Sequence, residues 1–540
     1  MVSVVSEGTG QPHSAEPAPK DIRLVIGASS VGTIFEWYDF FIYGTLAASG
    51  IIGRVFFPSG NETLQTLLAW AGFAVGFGFR PLGAVLFGFL GDRVGRKATF
   101  LVTITVMGLA TAGVGLIPSA GSIGYAAPIL IILLRIAQGL ALGGEYGGAA
   151  VYVAEHAPAD KRGFYTSFIQ ASVPGGFILS LIIVLGVKAV LPVGVWDDWG
   201  WRIPFVLSLL LLALSLWMRL KLSESPVFEQ MKASGELSGN PFIESFTYPG
   251  NRKRIFVALF GLAAGLTVIW YTAYFSSLSF LKGSMRVEDT AAEIIVGIGA
   301  TLGLFWFILF GKWSDRIGRK KPIIWGYGLT LLFLFPAFWA IGAVANPALS
   351  ESFAREPIVV SGPDCTYRPF ASKQASACGT LLGDLSSRGI DYAIRPAAAL
   401  SLTMGDNLVT DIAPADIDTA LAEAQYPLAE IVPGPLASIA IIGILMLLGG
   451  LSGATFGPMA ALMSEMFPPR IRYSSMSIPY HFGTGYFGGF LPLIAAAIIA
   501  TTGDPYSGLW YTWAVVLMAF LVTLWGLPKD QPDWNGEAQA

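Results

Sequence analysis

Glu36, Asp39 and Tyr43 stand at i, i+3 and i+7 inside one long apolar run, so a helix there carries all three on one face. Arg80 lies in a second apolar run, followed by Pro81. Arg135, Gln138 and Glu145 share a face of a third. Glu36 is about 18 Å into its helix, and Arg80 about 16 Å from the next polar loop, at 1.5 Å per residue. An ionisable group at such depth costs at least about 2.5 kcal/mol and normally faces a partner or a water-filled cavity. Two chemistries follow. Desolvation favours the protonated form of a carboxylate, and a nearby guanidinium favours the charged form. An acid whose surroundings alternate can therefore take up a proton on one side of a membrane and release it on the other. Glu36, Asp39 and Glu145 are the candidates for proton coupling. Arg80 and Arg135 can neutralise a carboxylate substrate through forked hydrogen bonds that Lys cannot copy, or they tune the acids. The alternative is a set of ion pairs, Arg135 with Asp39 for example, that only fixes helix packing.

The elements that must position these groups are membrane helices. The chain has 540 residues, 54% hydrophobic and 13% charged, with mean hydropathy +0.62. Soluble proteins carry about 25% charged residues. Successive runs of about 20 apolar residues are each long enough to cross about 30 Å of hydrocarbon. Twelve are expected: α1 at 24–50, α2 at 65–90, α3 at 98–117, α4 at 127–149, α5 at 163–191, α6 at 201–220, α7 at 254–281, α8 at 292–312, α9 at 322–344, α10 at 435–459, α11 at 474–500 and α12 at 509–527. The fold class is all-α membrane protein with two six-helix bundles, at 23–220 and 254–527. A polar linker at 221–253 joins them. Residues 1–22, which lack the apolar core of a signal peptide, and 528–540 read as cytoplasmic tails.

The two bundles look like copies of one unit. Gly88, Asp92, Arg93, Gly95 and Arg96, with Lys97, recur as Gly311, Asp315, Arg316, Gly318 and Arg319, with Lys320, 223 residues later. Glu155 and Arg162 after α4 recur as Glu465 and Arg472 after α10. That second offset is 310 residues, so the second copy has gained 87 between α9 and α10. The repeated acids and bases read as charged latches of a cytoplasmic gate. Lys and Arg concentrate in the loops after α2, α4, α8 and α10, which places that side in the cytoplasm together with both termini. Parallel repeats of this kind bind substrate at their interface near the midplane. The buried charges are not repeated: Ile269, Thr272, Gly303, Leu445, Leu448 and Thr455 stand at the corresponding positions. The first half therefore carries the ion-handling groups. Trp270, Tyr271, Tyr274, Tyr480 and His481 of the second half would shape a pocket with Tyr43, Arg80, Arg135 and Gln138. His481 is either a pocket hydrogen-bonder or a packing residue.

Residues 344–433 are too polar to span and fall on the extracytoplasmic side. They form either a small cap or a disordered loop. They hold both cysteines of the chain, Cys365 and Cys378, a placement that favours a disulfide over two free thiols. Closing that loop is worth about 3 kcal/mol in the chain-entropy model.

The two Gly-x-x-x-Asp-Arg-x-Gly-Arg-Lys loops resemble the signature of the major facilitator superfamily. Glu36-Trp-Tyr-Asp39-Phe, Arg80-Pro-Leu-Gly83, Arg135-x-x-Gln-Gly139, Gly143-Gly-Glu-Tyr-Gly147, Gly200-Trp-Arg-Ile-Pro204 and Glu224-Ser-Pro-Val-Phe228 resemble its metabolite:H+ symporter family. That family includes bacterial carriers of proline and betaine, 2-oxoglutarate, citrate and shikimate. The resemblance implies proton-coupled symport of a small organic solute by alternating access in a bacterial inner membrane. The buried arginines favour a carboxylate. A zwitterion carrier, an exporter, Na+ in place of H+ and a transporter-like sensor stay open. This chain departs from the family pattern in having Tyr480-His481 where Tyr-Asn is usual, and in its long insert. The expected partners are a small-molecule substrate, H+ and the lipid bilayer, with no nucleic acid, cofactor or metal, and the protein is expected to be monomeric. Only three histidines and no nucleotide-binding glycine loop argue against an enzyme.

Overall fold

The computed structural model describes residues 19–57, 59, 61–94, 96–144, 150, 153–154, 157–220, 241–371, 373–409, 414–468 and 471–528. Long helices run through nearly all of them. In the first half they are α1 (Pro19–Ala48), α2 (Glu62–Gly78, resuming as Arg80–Val94), α3 (Arg96–Leu116), α4 (Ala126–Gly143), α5 (Arg162–Val190) and α6 (Ile203–Leu220). In the second half they are α7 (Asn251–Ser284), α8 (Asp289–Ile317), α9 (Lys320–Ala345), α10 (Pro435–Met466), α11 (Arg472–Thr502) and α12 (Leu509–Gly526). Among the described residues, ten helices are long and apolar enough to cross a membrane, with a shorter apolar stretch at Leu101–Leu116. Large apolar side chains stand on the outside of α6 and α9, Leu210, Trp217, Leu332 and Trp339 among them, as lipid-facing helices require.

Among the described residues, α5 packs along α8 and α2 against α11 across the two halves. Within the first half, α2 and α4 cross backbone to backbone. A Cβ at Gly139 would collide with the Gly76 carbonyl, and one at Gly143 with the Arg80 carbonyl. Small residues allow that approach. Gly139→Val is expected to force α4 off α2 and to lower stability by about 1–3 kcal/mol or more; thermal unfolding in detergent reads it.

The sequence places a polar linker at 221–253. The structure instead has a helix at Pro241–Thr247 and starts α7 at Asn251. Asn251 Nδ2 donates to the Ser245 carbonyl at 2.8 Å and to Ser475 Oγ at 2.9 Å, which docks that helix on α11. Residues 221–240 of the linker lie outside the described residues.

The segment between α9 and α10 is folded, not a disordered loop. Its sheet has strand order β2-β1-β3-β4, with β1 (Ile358–Gly362), β2 (Ala393–Pro396), β3 (Ser401–Met404) and β4 (Asn407–Val409). β2 runs parallel to β1, and β3 antiparallel to both β1 and β4. Alternate residues of β1 and β3 point inward, among them Val360, Leu402 and Met404. They meet Leu381, Leu382 and Leu385 of the helix Ala377–Ser387 in a core of its own. Cys365 and Cys378 are joined by a disulfide. Asp391 sits where this unit meets the α11–α12 connection. Burial and the Asp504 carboxylate push its carboxyl up to about 7. A raised acid holds a proton in the folded protein that the unfolded chain, titrating at about 4, has already released. The resulting penalty is absent below pH 4, builds as pH rises, and is complete above pH 7. Asp391→Asn should therefore melt like the parent at pH 4 and higher than the parent at pH 8.

Candidate functional site

The site begins with a break. α2 pauses at Phe79 and restarts at Arg80, which points its fully buried guanidinium into the contact between the halves. Arg80 Cζ lies 5.1 Å from the ring centres of both Trp37 and Phe77, and 5.9 Å from that of Tyr480. Aromatic faces attract a desolvated cation. These rings come from α1, α2 and α11. The fourth wall is α7. Trp270 stacks on Phe41 with centroids 5.0 Å apart, and Tyr271 meets Phe77 edge-on at 5.6 Å.

Both second-half helices are wound irregularly here. α7 has i→i+5 stretches at Val257–Ala263 and Thr272–Ser276, on either side of Trp270 and Tyr271. α11 has one at Gly483–Gly489, directly after His481. Such bulges turn side chains off the regular stripe and recur at functional sites. The result is a cluster of polar atoms without a protein partner. Trp270 Nε1, the Tyr271 and Tyr274 hydroxyls and both ring nitrogens of His481 are buried and make no hydrogen bond. Buried polar groups are otherwise bonded nearly everywhere in proteins. Arg80 is within electrostatic reach of Tyr271 and His481. This arrangement can hold an anionic group at Arg80, flat apolar surface against the rings, and hydrogen-bonding groups at Tyr271 and His481. Tyr274 stands apart, with its hydroxyl lodged where Gly303 of α8 and Gly449 of α10 meet.

The other residues of the first half lie behind this wall. Arg135 is fully buried, and its Nη1 donates to Gln138 Oε1 at 2.7 Å. Its Nε and Nη2 reach the Gly72 and Phe73 carbonyls at 3.3 and 3.5 Å. Gln138 in turn donates to Thr111 at 2.7 Å, and Tyr43 to the Ala69 carbonyl at 3.0 Å. Arg135 thus stitches α4 to α2 and lies 4.2 and 4.4 Å from the ring centres of Phe40 and Tyr43. It does not pair with Asp39. Asp39 is buried beside the Ser208 hydroxyl of α6. Glu36 is buried one turn earlier on α1. Glu145, Glu155 and Gly95 lie outside the described residues, as do the side chains of Gly88, Asp92, Arg93 and Arg96.

At the basic-loop end, the second copy of the repeated loop bridges the halves. Asp315 accepts from the backbone N–H of Gly163 at 2.8 Å and of Phe164 at 2.9 Å, the first turn of α5. A carboxylate there completes the unsatisfied helix N-terminus. Arg319 donates to Asp315 at 2.5 Å and grips both oxygens of Glu465 at 2.9 and 3.2 Å. Arg162 adds a 3.5 Å contact to Glu465. Gly311 lets α8 meet α5 at Gly163, Gly318 ends α8 at φ 89°, Arg316 is exposed, and Arg472 donates to the Phe467 carbonyl. Asp315→Ala strips both backbone bonds and one arm of the Arg319 pair. The expected loss is about 1.5–3 kcal/mol, the scale of hydrogen bonds to charged groups, measured as a fall in melting temperature.

The opposite end holds a second ionic bridge, which the sequence did not reveal. Glu293 of α8 is fully buried. It accepts from Lys188 of α5 with both oxygens at 3.1 Å, from Lys282 of α7 at 2.7 Å and from Ser49 beyond α1 at 3.3 Å. The bridge's three charged residues, Lys188, Lys282 and Glu293, come from three different helices. The usable signal was that all three fall inside apolar helices, near one end of the bundle.

A family model described as "Sugar (and other) transporter" matches residues 24–244. The shikimate transporter of Escherichia coli (strain K12) is 39% identical, over 59% of this chain and 73% of that protein. The inner membrane metabolite transport protein YhjE of the same strain is 33% identical, over 74% of this chain and 89% of that protein. The fold is also that of the xylose transporter XylE from E. coli in a partially occluded inward open conformation, at TM-score 0.58 and 15% identity, covering 95% of this chain and 99% of that one. With its buried inter-half site and its apolar helices, the chain is a multi-pass membrane transporter and belongs to the metabolite:H+ symporter family of the major facilitator superfamily.

Proposed function

We propose that this protein is a secondary active symporter that carries a small organic carboxylate and protons into a bacterial cell by alternating access. Arg80 carries the reading: it is a fully buried guanidinium at the contact of the halves, ringed by Trp37, Phe77 and Tyr480. An anion bound there would also find Tyr271 and His481 free to hydrogen-bond. Shikimate, the substrate named for a 39% identical relative, is a carboxylate. In this reading all twelve helices span an inner membrane, both termini are cytoplasmic, and the folded insert is outside, a placement that its disulfide supports. Asp39 and Glu36 carry the proton, while Arg135, Gln138 and Tyr43 hold the first half rigid behind them. The Asp315–Arg319–Glu465 bridge closes the inner mouth and the Glu293–Lys188–Lys282 bridge closes the outer one.

Uptake into liposomes with an alkaline interior tests it, using a labelled panel of carboxylates and betaines. One carboxylate should accumulate only when the pH gradient is present. With Glu36→Gln and Asp39→Asn combined, it should merely equilibrate. Accumulation that ignores the gradient, or survives in that variant, returns the acids to a packing role. Accumulation of a betaine instead replaces the substrate class. Specific binding without transport would point to a sensor.

A further inference from the structure

The folded unit between α9 and α10 is fastened to one half of the transporter and overhangs the other. Three separate segments fasten it to the second half. Asn346 Nδ2 donates to the Met285 carbonyl at 3.1 Å. Ile431 pairs with the α7–α8 connection, its N–H to the Arg286 carbonyl and its carbonyl to the Glu288 N–H, both at 2.9 Å. Arg286 donates to the Leu428 carbonyl at 2.5 Å and also to the Arg388 carbonyl. Arg286 has φ 52°, a conformation that a non-glycine residue keeps only when its surroundings over-determine it. The Tyr392 hydroxyl donates to the Ala500 carbonyl at the end of α11 at 3.3 Å. Anchors on the α7–α8 corner and on α11 leave the unit little freedom to move apart from that half.

Among the described residues, its contact with the first half is at the start of α2. The helix Ala377–Ser387 packs there. The Tyr367 hydroxyl sits beside Asn61 and Thr63. A Cβ on Gly383 would lie 3.9 Å from Asn61 Nδ2. The ionic bridge is built on the same corner. Lys282 and Glu293 flank Arg286 in sequence and belong to the second half, whereas Lys188 and Ser49 belong to the first. Parting the halves at this end therefore separates Lys188 from Glu293 and the insert from Asn61 in one movement.

We propose that the insert is a cap borne by the second half, docked on Asn61 and Thr63 of the first, and that it must lift from α2 each time the outer mouth opens. The asymmetry of its contacts assigns the roles: the many-point anchor persists, and the few-point contact breaks. The proposal needs no particular solute and stands apart from the choice of substrate.

The test ties the cap down. Asn61→Cys with Gly383→Cys is joined by a short bismaleimide, which leaves the native disulfide untouched. Hydrogen exchange is then followed in the full-length protein at the outer ends of α5 and α7, residues 184–190 and 277–284. The tie should form in high yield and slow exchange there by roughly tenfold or more, since an opening that must strain a covalent link becomes rare. Asn61→Ser keeps an oxygen to cap Leu64 N–H but shortens the reach to the insert, and should speed exchange at the same sites. Both proteins should melt close to the parent. Failure of the tie to form would overturn the contact. A tie that forms and leaves outer exchange unchanged would overturn the cap. Neither readout uses a substrate, so failure here leaves the symport reading standing, and failure of the liposome assay leaves the cap standing.

Discussion

Glu293→Gln is expected to lower thermal stability by about 3–5 kcal/mol, the scale for removing one partner of a buried ion pair. Two ammonium groups, Lys188 and Lys282, converge on this fully buried carboxylate. A neutral amide leaves both without their counter-charge. Lys282 keeps a 3.3 Å contact to the half-exposed Asp289, whereas Lys188 has only the Glu288 carboxylate acting on it through space and makes no second ion pair among the described residues. The easiest relief is for the first half to swing Lys188 into water, so the variant should also favour the form open at this end. Lys188→Met alone should be milder, because Glu293 retains Lys282. The double variant Glu293→Gln with Lys188→Met should recover part of the loss, since the orphaned ammonium is then gone. Adjacent charged groups show coupling of about 0.5–3 kcal/mol in such cycles. Additive losses would mean that Lys188 and Glu293 do not act as a pair.

Arg80→Lys is expected to abolish concentrative uptake while leaving the protein folded. The charge stays, but the planar fork does not, and an ammonium cannot spread over Trp37, Phe77 and Tyr480 or bind a carboxylate with two parallel hydrogen bonds. Losing one charged bidentate contact should weaken binding of the accumulated carboxylate at least about 100-fold, or about 3 kcal/mol. Calorimetric titration of purified protein measures it. Arg135→Lys makes a sharp comparison. Arg135 is equally buried and bonds Gln138 and the carbonyls of α2, behind the aromatic wall. Its replacement should lower the melting temperature more than it changes affinity. If Arg135→Lys lost affinity and Arg80→Lys kept it, the anion site would have to move behind the aromatic wall.

These two arginines show where a sequence stops being readable. Both lie deep in apolar runs, beside glycines, with no second copy in the other half. What separates them is the company each keeps across helix contacts. Arg135 meets Gln138 one turn away on its own helix, but also carbonyls more than 60 residues distant. Arg80 faces Tyr480 of α11 across the contact between the halves. The basic loops were legible because Asp315 and Arg319 are four residues apart on one short stretch. Their reach to Gly163 and Glu465 was suggested only by the repeat. The insert gave itself away as a polar segment with two cysteines, but β1 and β2 pair in parallel across more than 30 residues, and no local pattern announces that.

Helix placement, the basic loops and the presence of ionisable groups inside long apolar helices were determined by the sequence alone. Each depends on spacing within about 20 residues, and an apolar helix satisfies its own backbone wherever it lies. The tertiary structure decided which of those charges are sealed, which face the contact between halves, and that Glu293 draws in two lysines. It also decided that the insert is folded and fastened to the second half. Those outcomes rest on pairs formed 100 or more residues apart, as between Lys188 and Glu293, where the crossing of helices, and not the neighbouring sequence, sets what each side chain meets.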